Sequence, residues 1–128
     1  MLKYTICAAL MVQFGLSPAI ADEVKMGGKE LSELLSAGKN IRLGGPGTGY
    51  SGELVLTSDG RGNGQAKTDD GTKTFVLEGT WRIKGDEFCR QWAAFDDGNE
   101  VCETWVLIGT KQAKVVVGDD QIGINSWD

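Results

Sequence analysis

The chain has 128 residues, a formal net charge of −5 and no histidine. The missing imidazole excludes Ser-His-Asp and Cys-His catalysis and histidine metal sites. The acidic balance repels nucleic acid and anionic lipid, so neither is expected as a partner, and this length suits one compact domain.

Lys3 gives a positive start, Ile6 to Leu16 is a mostly apolar run, and Ala19-Ile20-Ala21 supplies small residues at the two positions that matter for cleavage. That is the layout of a cleavable secretory signal, too short for a membrane span. Removal of residues 1–21 leaves one β-rich domain over 22–128, periplasmic or secreted, with no membrane insertion after cleavage. Loss of Lys3 takes the net charge from −5 to −6. Cys7 departs with the leader. Cys89 and Cys102 remain, and an even pair in an oxidising compartment predicts one disulfide. Its short loop predicts about 2–3 kcal/mol of stabilisation. A redox role would need a CxxC spacing near a helix start, which is absent.

Asp22 to Gly27 reads as a loose start. Lys29 to Ala37 places Leu31, Leu34 and Leu35 at i, i+3 and i+4, with Gly38 behind them. This predicts one short amphipathic helix with a glycine stop. Gly44 to Gly52 is glycine-dense and reads as a connection. It lacks the Lys-Ser/Thr of a phosphate loop. From Tyr50 onward the pattern is β, with strands expected at 52–57, 64–67, 74–84, 87–94, 100–109, 113–117 and 121–127. Turn residues separate them. The spacing predicts an antiparallel barrel or half-barrel, a lipocalin-like meander of about seven strands, with one short N-terminal helix.

Gly85-Asp86 has the glycine-first form of a type II′ hairpin turn. That turn sets Lys84 opposite Glu87, Ile83 opposite Phe88, Trp81 opposite Arg90 and Gly79 opposite Trp92. The inner face then carries Phe75, Leu77, Gly79, Trp81, Ile83, Phe88, Arg90, Trp92 and Ala94. An arginine on an apolar face is costly unless paired. Two readings follow. Arg90 binds an anionic ligand head in a barrel mouth walled by Trp81 and Trp92. Or it stacks on Trp81 as a cation–π pair worth about 0.5–2 kcal/mol. Trp105 and Trp127 complete the four tryptophans, and Trp127 is the one most open to a surface role, although the terminal strand can dock inward.

Asp59, Asn63, Gly64 and Asp70 are spaced as in a calcium loop, but Arg61 and Lys67 occupy ligand positions. Asp69-Asp70 and Asp96-Asp97-Gly98-Asn99-Glu100 read first as solvated acidic turns, with weak calcium binding as the other use. None of the eighteen acids is marked as a catalytic carboxylate. No catalytic residue, cofactor or metal is expected.

Gly79-Thr80-Trp81-Arg82-Ile83-Lys84-Gly85-Asp86-Glu87-Phe88-Cys89, with Trp92 and Cys102, resembles a group of small exported alphaproteobacterial proteins of unknown function, of the DUF995 type. These share a leader, a G-x-x-L-x-x-L helix (here Gly28 to Leu34) and a GTWRI-x-GD-x-x-C…W…C core. The resemblance implies export, cysteine pairing and a β-rich fold, and supplies no catalytic residue. Gly79-Thr80-Trp81 with a nearby arginine is also similar to the lipocalin G-x-W feature as a packing device. The expectation is an exported, non-catalytic binding module. It holds a small amphipathic or anionic ligand in a Trp-lined mouth formed by Trp81, Arg90 and Trp92. The alternative is a module for an envelope protein partner, such as an inhibitor of a lysozyme-like hydrolase, meeting it through acidic turns.

Overall fold

The computed structural model describes residues 23–128, so the leader expected over 1–21 lies outside the described residues. The elements are β1 (Val24–Lys25), α1 (Gly28–Leu35), β2 (Lys39–Gly44), β3 (Tyr50–Leu56), β4 (Arg61–Thr68), β5 (Thr74–Lys84), β6 (Glu87–Trp92), β7 (Val101–Leu107), β8 (Gln112–Val117) and β9 (Asp120–Ser126). Each strand from β2 to β9 pairs antiparallel with the next, and β9 returns to β2. The result is a closed eight-stranded up-and-down barrel, with β1 added beside β7. Closure removes the exposed edges that an open half-barrel would leave.

The strand count exceeds the expected seven because β1 and β2 are strands. Lys39-Asn40-Ile41-Arg42-Leu43 alternates polar and apolar, but it offers only two apolar residues between glycine signals. Its pairing with β3 over six residues, Lys39 opposite Leu56 to Gly44 opposite Ser51, supplies what local propensity does not. β1 is set likewise by its partner, with Val24 opposite Leu107.

The β5–β6 hairpin has the expected register, Lys84 opposite Glu87 through Gly79 opposite Trp92. Gly85 takes φ 61° and Asp86 does not share a positive φ, as a type II′ turn requires. Along β5, exposure alternates residue by residue, with Phe75, Leu77, Gly79, Trp81 and Ile83 inward. The inward set ends at Trp92; Ala94 lies beyond β6 in an exposed turn, because the chain leaves the sheet there. Cys89 and Cys102 face each other across β6 and β7 and form the disulfide, a bond compatible with an oxidising compartment.

The two ends of the barrel differ. At one end α1 acts as a plug. Its Leu31 and Leu35 are fully buried in one core cluster with Met26, Ile41, Leu56 and Trp105, each burial contributing about 1.5–3 kcal/mol. The Glu30 carboxylate accepts the Gly27 N–H at 2.9 Å, and Asp86 accepts the Gly28 N–H at 2.8 Å, which ties the helix start to the hairpin turn. Trp105 and Trp127 stack in this end with ring centres 6.2 Å apart. Trp127 docks inward at 5% exposure, its N–H held by the Lys111 carbonyl.

Candidate functional site: a cavity at the open end

The turns after β2, β4, β6 and β8 gather at the other end, and there the barrel interior opens into a cavity of about 550 Å³. That volume falls within the range of small-molecule sites. Leu43, Phe75, Leu77, Phe88, Trp92 and Val115 supply apolar wall. Phe88 divides the cavity from the plugged end. Its ring lies 4.9 Å from Trp105 and 5.8 Å from Trp81 on the far side. Inward positions alternate along every strand, so one set of residues fills the plugged end and continues as the cavity wall.

Near the mouth the barrel seam is thin. β2 and β9 pair only through Arg42 opposite Ser126 and Leu43 opposite Asn125. Tyr50 crosses the remaining gap, its hydroxyl accepting the Ile124 N–H at 3.0 Å. The ring lies on Gly44, where a Cβ would sit 2.9 Å from ring carbons and 2.3 Å from the Tyr50 carbonyl oxygen. Gly44 also takes φ 65°, so glycine is required twice over. The Gly44–Gly52 stretch thus yields a turn-rich connection and the start of β3, with Thr48 and Gly49 on the cavity lining.

A buried charge network sits in this cavity. Arg90 donates from Nε to Glu103 at 2.7 Å and from Nη1 to Asp96 at 2.8 Å. Glu103 lies on β7 opposite Phe88, so its carboxylate enters the interior, where it also accepts the Trp105 Nε1–H at 3.0 Å. The Arg90 and Glu103 side chains are 12% and 9% exposed. Burial pushes the Glu103 carboxyl above its usual range, against the opposing pull of Arg90 and the Trp105 N–H. Asp96 comes from the β6–β7 turn. There Asp96 and Asp97 take φ 54° and 56°, a left-handed conformation that aspartate tolerates better than most residues. Gln91 steadies this turn by donating to the Gly98 carbonyl at 2.8 Å. Asn125, 6% exposed, also lines the cavity.

Of the three residues expected to form the site, Arg90 and Trp92 line this cavity and Trp81 does not. Trp81 points inward below it, stacks on Phe88, and donates its Nε1–H to the Thr57 carbonyl at 3.2 Å. The Arg90 guanidinium is held by two carboxylates, and those charge-assisted bonds are stronger than a cation–π contact. The residues missed in the sequence are Glu103 and Asn125, while Asp96 was read only as part of a solvated acidic turn. A signal existed for Glu103, since it shares strand parity with the buried Trp105 and the half-buried Leu107. No signal linked Asp96 to Arg90, a pairing that arises from turn geometry.

Asp59 and Asp70 are internally satisfied. Asp59 accepts from the Thr57 hydroxyl, and Asp70 from the Thr68 and Thr72 hydroxyls and the Thr72 N–H. Cys89, Cys102 and Glu100 gather ligand-type atoms, but the two sulfurs are joined to each other. Among the described residues lining the cavity there is no serine, cysteine, lysine or histidine. The arrangement can enclose an apolar body and offer fixed polar atoms at its mouth. No protein-family model, curated protein or solved structure matches the chain.

Proposed function

We propose that this is an exported binding barrel that holds a small amphipathic ligand in its open end. The observation that carries the reading is the cavity itself. A ligand-sized space with apolar walls contains convergent polar groups that the barrel does not need for closure. The apolar body of the ligand would lie against Phe75, Leu77, Phe88 and Trp92, and its polar end beside Arg90, Asp96 and Asn125. The sequence leader and the disulfide support a periplasmic or secreted setting. Arg90 is already matched by Glu103 and Asp96, so it offers no free cation to an anionic head.

The test is native mass spectrometry of the protein purified from its own host's envelope, beside a Leu77→Trp variant whose larger ring fills the cavity. The expected result is a co-purifying small mass on the natural chain that the variant lacks. A bare chain in both overturns the reading. Co-purification of a second protein by both chains turns the assignment to the envelope-partner alternative.

A further inference from the structure

The cavity holds charges but none to spare. Arg90 is the one basic residue among the described residues that line it, and it is held by Glu103 at Nε and by Asp96 at Nη1. Glu103 in turn accepts from both Arg90 and the Trp105 N–H. Among the described residues no buried side-chain nitrogen or oxygen lacks a hydrogen-bond partner. A ligand whose charged head entered this space would give up its water and meet no free counter-charge, a costly exchange. A hydroxyl or carbonyl escapes that cost, because a carboxylate oxygen already in one hydrogen bond can accept another.

The apolar wall adds a shape. Trp92, Gly79 and Gly62 lie side by side across β6, β5 and β4. The indole reaches past the first glycine to the second: a Cβ on Gly62 would stand 2.7 Å from its Cη2 and 2.8 Å from its Cζ3. Farther toward the mouth, the inward positions of β4 are Gly64, Ala66 and Thr68, so no bulky side chain rises from that strand. Phe75 and Phe95 pack at the mouth with ring centres 5.9 Å apart, and with Phe88 and Trp92 they set four aromatic rings on one lining. Such rings match a flat ring best, since offset-stacked and edge-to-face contacts add to what burial alone supplies. We propose that the cavity selects an uncharged, flat-ringed small molecule. Its ring packs on the Trp92 indole, and its neutral polar group lies beside the Arg90–Asp96 pair. This rests on the binding-barrel reading above and names the charge and shape of the ligand.

The experiment measures four probes by calorimetry on the protein with its disulfide intact. They are 2-naphthol, its saturated counterpart decahydro-2-naphthol, 2-naphthoate and 2-naphthylmethylammonium, compared at neutral pH and about 0.15 M salt, where exposed charges are largely screened. The expected result is that 2-naphthol binds tightest, by about tenfold or more over either ion and by about fivefold over the saturated ring. Trp92→Leu keeps an apolar side chain at that position and should shrink the preference for the flat ring to about twofold. Should that variant not fold, the four probes on the natural chain still decide the matter. Either ion bound as tightly as 2-naphthol, or the saturated ring bound equally well, overturns the assignment while leaving the cavity reading standing. A flat-ring preference that Trp92→Leu leaves intact overturns the indole as its seat. Binding of none of the four overturns both readings.

Discussion

Replacing Arg90 by methionine should unfold the barrel in a pH-dependent way. The change nearly conserves volume, so packing is a minor term. It strips Glu103 of its only cationic partner among the described residues and leaves the Trp105 N–H as its one hydrogen bond. Breaking one side of a buried ion pair costs about 3–5 kcal/mol. At about 4–8 °C per kcal/mol for a domain of this size, the melting temperature should fall by roughly 12 °C or more. The sign of the pH effect follows from Glu103. Its carboxyl already lies above the ordinary range through burial, and losing Arg90 drives it further up. A carboxyl raised in the folded state stabilises that state below its unfolded value, and the contribution is lost as pH rises through the folded value. The penalty relative to the natural chain should therefore be small near pH 4 and greatest near pH 8. The assay is urea unfolding of both chains across that range. Arg90→Met/Glu103→Gln should regain most of the loss at high pH, because the amide oxygen still accepts the Trp105 N–H. A penalty under about 1 kcal/mol, or one of equal size at both pH extremes, would refute the reasoning.

Three further outcomes are expected. Cys89→Ala/Cys102→Ala should lose about 2–3 kcal/mol in the same unfolding assay, and adding reductant to the natural chain should reproduce that loss. Gly62→Ala should cost about 1–3 kcal/mol, since its Cβ would stand 2.7 Å from the Trp92 ring. The cost should drop in a Trp92→Leu background, and an unchanged cost there would remove Trp92 as its cause. Asp70 is held below the usual carboxylate range, first by the Thr72 backbone N–H and then by the Thr68 and Thr72 hydroxyls. Its contribution is present above the ordinary aspartate value and lost as pH falls through the lowered one. Asp70→Ala should thus destabilise at pH 7 and match the natural chain near pH 2; a difference that persists in acid counts against it.

The legible parts of this fold were those fixed by local rules. The Gly85-Asp86 turn set the register of two strands, and from it came the inward placement of Arg90, Trp92 and Phe88. The leucine spacing and Gly38 gave α1 to within two residues at each end. What local rules did not give was β2, whose identity rests on β3 and β9. They also did not give the partners of Arg90. The Arg90–Trp81 adjacency on the hairpin was real, but the guanidinium turned toward carboxylates delivered by β7 and by the β6–β7 turn. The cavity likewise had no local signature. It exists because α1 and Trp105, Trp127 and Trp81 fill one end, while the remaining inward side chains are too few to fill the other.

That division bears on why a charged network lies inside a small barrel. A buried ion pair is a poor device for stability, and well-packed apolar groups of similar volume commonly do as well or better. This barrel already has a buried, tryptophan-rich end and a disulfide to hold it. The open end keeps Arg90, Glu103 and Asp96 facing a space that apolar side chains could occupy. The left-handed backbone at Asp96 and Asp97 adds a further conformational cost at the same rim. Two unfavourable features meeting on one ligand-sized cavity fit a surface shaped for recognition, with the plugged end supplying the stability that the open end forgoes.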